Sequence, residues 1–254
     1  MEIKNNSNKE NKKTINLKTA IIIALIIVFL LGLIIGNLFS IYKYSNHNEL
    51  FKCNMKKNIY NKKTITNINQ RNDKPIIYLY PTEEMDISVK LINPDRLTCS
   101  YPKYINGWNV HAKPSGDLKE IASGKNLYSL YYESKVENKF DINDEGFIIK
   151  GEDSAKFLEE KLAILGLTER EIEEFIVYWL PKLESNKYNY IRFATEDEIN
   201  NNMAMEISPK PNTIIRVLMI FKGMNNPIEV EEQKLDIKKR EGYTVVEWGG
   251  TEIK

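Results

Sequence analysis

The sequence predicts an α+β protein: an N-terminal transmembrane helix followed by a mostly antiparallel β-sheet domain with two consecutive helices inserted. Three observations lead there. Residues 20–39 are one apolar run, period-two alternation begins near Lys74, and two capped amphipathic stretches stand back to back between residues 153 and 184. At 254 residues, 42% hydrophobic and 28% charged, the chain suits one folded domain with extensions. This composition excludes a disordered chain, and two cysteines exclude a disulfide-built scaffold.

The first element is the span. Ala20–Phe39 reads AIIIALIIVFLLGLIIGNLF, with Asn37 its only polar side chain. As an α-helix it covers about 30 Å, the thickness of a bilayer's hydrocarbon core. Its apolar side chains supply about −4 to −9 kcal/mol of insertion free energy. A buried core helix would show a polar face, and none is present. A cleaved signal peptide would have a shorter apolar region ending in small residues, whereas Ser40-Ile41-Tyr42-Lys43-Tyr44 follows here. An uncleaved anchor fits better.

The flanks orient it. The tail 1–19 carries Lys4, Lys9, Lys12, Lys13 and Lys18, while the first fifteen residues beyond the span carry only Lys43 and Lys52. The positive-inside rule puts the tail in the cytoplasm and the rest outside, although Lys56, Lys57, Lys62 and Lys63 dilute the asymmetry. The lipid bilayer is thus an expected partner and the cell membrane the expected location. Gly32 and Gly36 form a G-x-x-x-G pair suited to a homodimer through the membrane helix. Residues 40–73, rich in Asn and Lys, read as a solvated stalk. Cys53 lies on it and Cys99 in the domain; the two could pair outside the cytoplasm, but a mobile stalk makes a poor disulfide partner.

The domain spans 74–254. Pro75–Pro81 is a short strand closed by prolines, and Met85, Ile87, Val89 and Leu91 alternate with polar residues. Asn106-Gly107 predicts a type I′ hairpin between Thr98–Tyr104 and Trp108–Lys113. Leu127–Tyr132 and Phe147–Lys150 extend an antiparallel meander. Asp153 or Ser154 caps a helix bearing Phe157, Leu158, Leu162 and Leu165, with Gly166 at its end. Thr168 and Glu171 form the capping box of a second, with a stripe of Ile172, Phe175, Ile176, Trp179 and Leu183 that Pro181 should kink or end. Tyr190–Ala194, Thr213–Phe221 and Tyr243–Trp248 are further strands, the middle one apolar on nearly both faces and therefore central. Gly249-Gly250 reads as a tight turn.

Four blocks, KPIIYLYP (74–81), LTCSYPKYINGWNVHAKPSGDL (97–118), FIVYWLPKLESNKYNYIRF (175–193) and TVVEWGG (244–250), resemble a family of uncharacterised bacterial and fungal proteins. The resemblance covers essentially the whole domain and implies a common fold. It implies no activity and supplies no catalytic residues. Tyr132 and Ser134 depart from the family's aromatic-Trp-Glu-Gly pattern around Glu133.

Charge and motif bound the chemistry. Residues 1–73 carry 12 Lys/Arg against 4 Asp/Glu, leaving 24 against 31 in the rest, and an acidic domain speaks against nucleic acid as partner. No phosphate-cradling glycine loop occurs, so no cofactor is implied. His47, Cys53, Cys99 and His111 lack paired zinc-ligand spacing, so no metal is expected. His111, opposite Trp108 on its strand, should face water. The acidic clusters Glu159-Glu160, Glu169–Glu174 and Glu196–Glu198 read as solvated surfaces.

Charges set inside apolar strands are the candidate site residues. Arg216 interrupts Ile214, Leu218 and Ile220, Arg192 lies between Tyr190 and Ala194, and Glu247 shares a face with Tyr243 and Val245. Such charges must be paired, because desolvating one alone costs several kcal/mol. They form either structural Arg–Glu pairs or a cleft in which arginine grips an anion beside an aromatic such as Trp248. With no recognisable nucleophile–base set, the expected function is an extracytoplasmic module binding a protein, a glycan or a small ligand. A membrane-tethered hydrolase of envelope glycans or peptides, using carboxylates such as Glu133 or Glu247, is the alternative. An assembly subunit working through Gly32 and Gly36 is the third.

Overall fold

A computed structural model describes residues 71–253. The tail, the expected span at 20–39 with Gly32 and Gly36, and nearly all of the stalk lie outside the described residues. Among the described residues no helix is long and apolar enough to cross a membrane.

In chain order the strands are β1 (Arg71–Tyr80), β2 (Met85–Leu91), β3 (Leu97–Tyr101), β4 (Trp108–Ala112), β5 (Leu118–Glu120), β6 (Asn126–Leu127) and β7 (Leu130–Lys135). Then come β8 (Glu145–Lys150), β9 (Tyr188–Phe193), β10 (Met205–Ser208), β11 (Thr213–Met224), β12 (Glu231–Glu232) and β13 (Thr244–Glu252). The helices are α1 (Ser154–Ile164), α2 (Glu169–Glu184) and α3 (Glu196–Met203). Eight strands form one sheet in the order β12-β8-β9-β11-β13-β1-β7-β3, and five form a second, β10-β2-β4-β5-β6.

Alternation along each strand assigns the two faces of the large sheet. Ile76, Tyr78, Val217, Met219, Val246 and Trp248 point to one side, where they pack on Phe157, Leu158 and Leu162 of α1 and Phe175, Trp179 and Leu183 of α2. Ile77, Leu79, Leu130 and Val245 point to the other and meet Ile87, Val89, Trp108 and Val110 of the small sheet. Ile199 of α3 packs on that second face too, against Leu218 and Ile220. The domain is therefore layered: two helices, a broad sheet, then a small sheet with α3 beside it.

The α+β class and the β-rich character hold, but the large sheet is mixed. β11 and β13, its central pair, run parallel, as do β8 and β12. Asn106 and Gly107 do turn with positive φ, yet they do not join a hairpin. β3 pairs with β7 in the large sheet and β4 with β2 and β5 in the small one, so the turn carries the chain between layers. Trp108 Nε1 donating to the Pro102 carbonyl (2.9 Å) and Tyr104 packed edge-on against Trp108 fix that crossover.

Three further expectations are corrected. Asp153 is the residue before α1 but makes no capping bond, a 3₁₀ turn leading in instead. Pro181 sits inside α2 and the helix continues to Glu184. Pro181 and Val177, whose carbonyl loses its donor, are both exposed, so the unbonded carbonyl lies on the solvent side of the helix. Gly249 and Gly250 belong to β13 rather than to a turn. A Cβ on Gly250 would lie 2.6 Å from Trp179 Cζ2, so glycine here lets the indole approach the strand backbone closely.

Candidate functional site

Arg216 and Glu247 occupy matched positions on the parallel neighbours β11 and β13, facing the small sheet. Arg216 Nε donates to Glu247 Oε2 at 2.5 Å, with both side chains buried. Its remaining nitrogens donate to Asn200 Oδ1 (2.7 Å) and the Met203 carbonyl (2.8 Å), pinning α3 to the sheet. The Tyr132 hydroxyl donates to Glu247 Oε1 at 2.7 Å. Burial and then Glu247 raise the Tyr132 pKa far above its ordinary value, keeping that hydroxyl a donor. Burial alone would lower the pKa of Arg216, but Glu247 and Tyr132 outweigh it and raise it. Of the two sequence readings for these charges, the structural pair is the one formed.

Arg192 lies apart, on β9. It clamps Glu198 of α3 through both terminal nitrogens (3.0 and 2.9 Å), and its Nε donates to the Asp141 carbonyl (3.3 Å). Burial tends to raise the Glu198 pKa, yet the guanidinium and the Thr195 amide outweigh it and hold the carboxyl below its ordinary value. Unlike Arg216, Arg192 lines open ground. An open groove of about 600 Å³ is bounded by Ile142, Asn143, Asp144, Glu145, Arg192, Thr195 and Gln233.

The other candidates separate. Glu133 is buried and accepts from the Tyr131 hydroxyl at 2.6 Å. Since Tyr131 and Tyr132 are adjacent on β7 and point to opposite faces, Glu133 and Glu247 lie on opposite sides of the sheet and cannot flank one substrate bond. Trp248 is fully buried between Phe175 and Tyr78, part of the helix-side core. His111 is exposed as expected, 2.9 Å from Asp86, and that carboxylate followed by Glu84 raises its pKa. Cys99 is disulfide-bonded. Among the described residues no group of three or more His, Cys, Asp or Glu side chains is placed to hold a metal ion.

A second polar cluster was not anticipated. The Tyr80 hydroxyl donates to Glu171 Oε1 (2.8 Å), and the Tyr78 hydroxyl to Glu174. Glu171, 1% exposed, also accepts from the Thr168 amide (2.8 Å) and from Arg240. Arg240 reaches the Gly166 carbonyl as well (2.9 Å), so one carboxylate ties α1, α2, β1 and the segment before β13 together. Burial, then the paired glutamates, raise both tyrosine pKa values. At its rim Arg170 lies over the half-exposed ring of Tyr128, 5.3 Å from its centroid. Tyr78 and Tyr80 on one face of β1, with two glutamates three apart on α2, were its signal in the sequence.

The structure thus unites Arg216 and Glu247, adds Tyr132 to them, and leaves Arg192, Glu133 and Trp248 in three other places. Compared with known proteins, the chain matches no protein-family model, no curated protein and no solved structure.

Proposed function

We propose that this chain is a single-pass membrane protein that carries residues 74–254 outside the cytoplasmic membrane as a binding module. The groove beside Arg192 is its contact surface. One observation carries the binding reading. The buried charges on β9, β11 and β13, Arg192 included, are bonded to protein groups, and an open groove lined by the exposed polar residues Asn143, Asp144, Glu145 and Thr195 runs beside Arg192. The membrane part is supported by the twenty-residue apolar run and the lysine-rich tail before it. A disulfide at Cys99 accords with an oxidising compartment.

Alkaline carbonate extraction of cells expressing the full chain tests the anchor. The protein should stay in the bilayer pellet at its full mass of 29.6 kDa. Recovery of the unprocessed chain in the supernatant would remove the anchor from the account.

A further inference from the structure

β8 and β9 pair as an antiparallel ladder from Lys150↔Tyr188 to Phe147↔Ile191. Continued by two residues, the ladder would set Glu145 opposite Phe193, whose amide and carbonyl face the same side as those of Ile191. That step is not taken. The β8–β9 register ends at Phe147; on its other edge β8 pairs Glu145 with Glu231 of β12, and Gly146 passes close enough to Ile191 that a Cβ would meet its carbonyl at 3.0 Å. The Tyr190 hydroxyl, donating to the Glu145 carbonyl (2.8 Å) and accepting from the Asn143 amide (3.0 Å), holds the diverging segment away.

The vacated strand position is filled by a side chain. Phe193 N donates to Gln233 Oε1, and Gln233 Nε2 donates to the Phe193 carbonyl, both at 2.8 Å. Gln233's own amide donates to the Gly146 carbonyl (3.2 Å). A carboxamide making this two-point contact imitates the N–H and C=O of one strand residue at a hydrogen-bonded pair. It lies within the open groove, whose rim carries the exposed carboxylates of Asp144 and Glu145, with Glu231 and Glu232 preceding Gln233 in sequence and the cation Lys234 following it.

We propose that this split takes an extended peptide segment bearing basic side chains, whose main chain displaces the Gln233 carboxamide from Phe193. The proposal rests on the binding reading above and names its partner class. Main-chain pairing supplies the attachment, as in strand addition to a sheet edge, and the acidic rim selects the charge.

The test uses the full chain in detergent micelles and a dye-labelled, amidated Lys-Val-Lys-Val-Lys peptide followed by fluorescence anisotropy. Saturable binding is expected, tightened roughly five-fold by Gln233→Ala, which removes the internal competitor. Asp144→Asn with Glu145→Gln should weaken it roughly five-fold. The Glu-Val-Glu-Val-Glu peptide should not bind, nor should the basic peptide N-methylated on every backbone amide, which keeps its charge but loses its main-chain donors on both edges. Absence of saturable binding, equal binding of the N-methylated peptide, or indifference to Gln233→Ala would overturn the proposal. Such a failure in a protein still anchored and displayed outside removes only this partner class, whereas a cytoplasmic domain removes the reading beneath it.

Discussion

Arg216 shows how a single charge becomes tolerable in an apolar strand. Its neighbours on β11 are buried, and its charge is tolerated there because Glu247 lies at the same register on the parallel strand beside it. Breaking such a pair strands the survivor without water. Arg216→Met or Glu247→Leu alone should lower unfolding stability by about 3–5 kcal/mol in urea denaturation, and the double change should recover much of that loss. Additive losses would mean the two groups act independently. The presence of a pair was legible in the sequence, because a charge between Ile214 and Leu218 demands a partner. Its identity was not, since the contact spans 31 residues and depends on β11 and β13 running parallel.

Glu198 carries a different signature. Its pKa is lower in the folded protein than in the unfolded chain. Its contribution is therefore complete above the ordinary glutamate value of about 4.3 and fades as pH falls through the lower folded value. The stability gap between the natural chain and Glu198→Gln should be constant near neutrality and shrink on acidification below about pH 4. A gap that widens with acid would contradict the assignment to the Arg192 clamp.

Among elements, α3 and β13 are the instructive cases. Thr195 and Glu198 form a capping box with both reciprocal bonds, so the helix start was written in the sequence as T-x-x-E. The acidic run Glu196–Glu198 reads more simply as solvated surface, and only tertiary contact shows Glu198 turned inward to Arg192. β13 misleads in the opposite way, because a Gly-Gly pair is a turn signal unless a large side chain needs the space. Trp179, 71 residues before Gly250 in sequence, cannot be placed over it from local pattern alone. Gly250→Ala should destabilise the domain by about 1–3 kcal/mol, read as a lower urea midpoint at unchanged slope, because the indole is locked in the core. A neutral substitution would mean that Trp179 has room to move.

For the whole molecule, most strands and the two consecutive helices came from local periodicity, while α3, β5, β10 and β12, the division into two sheets and the parallel centre did not. Alternation states that a strand has a wet and a dry face; it is silent on which strand lies beside it. Asn106-Gly107 illustrates the gap, being a true turn between strands that never pair. The same separation of local from long-range information explains the site. Arg192, Arg216 and Glu247 were each identifiable as charges needing an explanation. That Arg192 lines an open groove follows from where β8 leaves β9.

The central claim is that a helix near the start holds the folded domain on the outer side of a bilayer. It is tested most directly by adding a protease-cleavable tag after Lys254 and treating intact cells with a protease that cannot enter them. The account predicts loss of the tag from the full-length membrane protein while a cytoplasmic control protein stays whole. A tag that survives until the cells are broken would place the domain in the cytoplasm and contradict it.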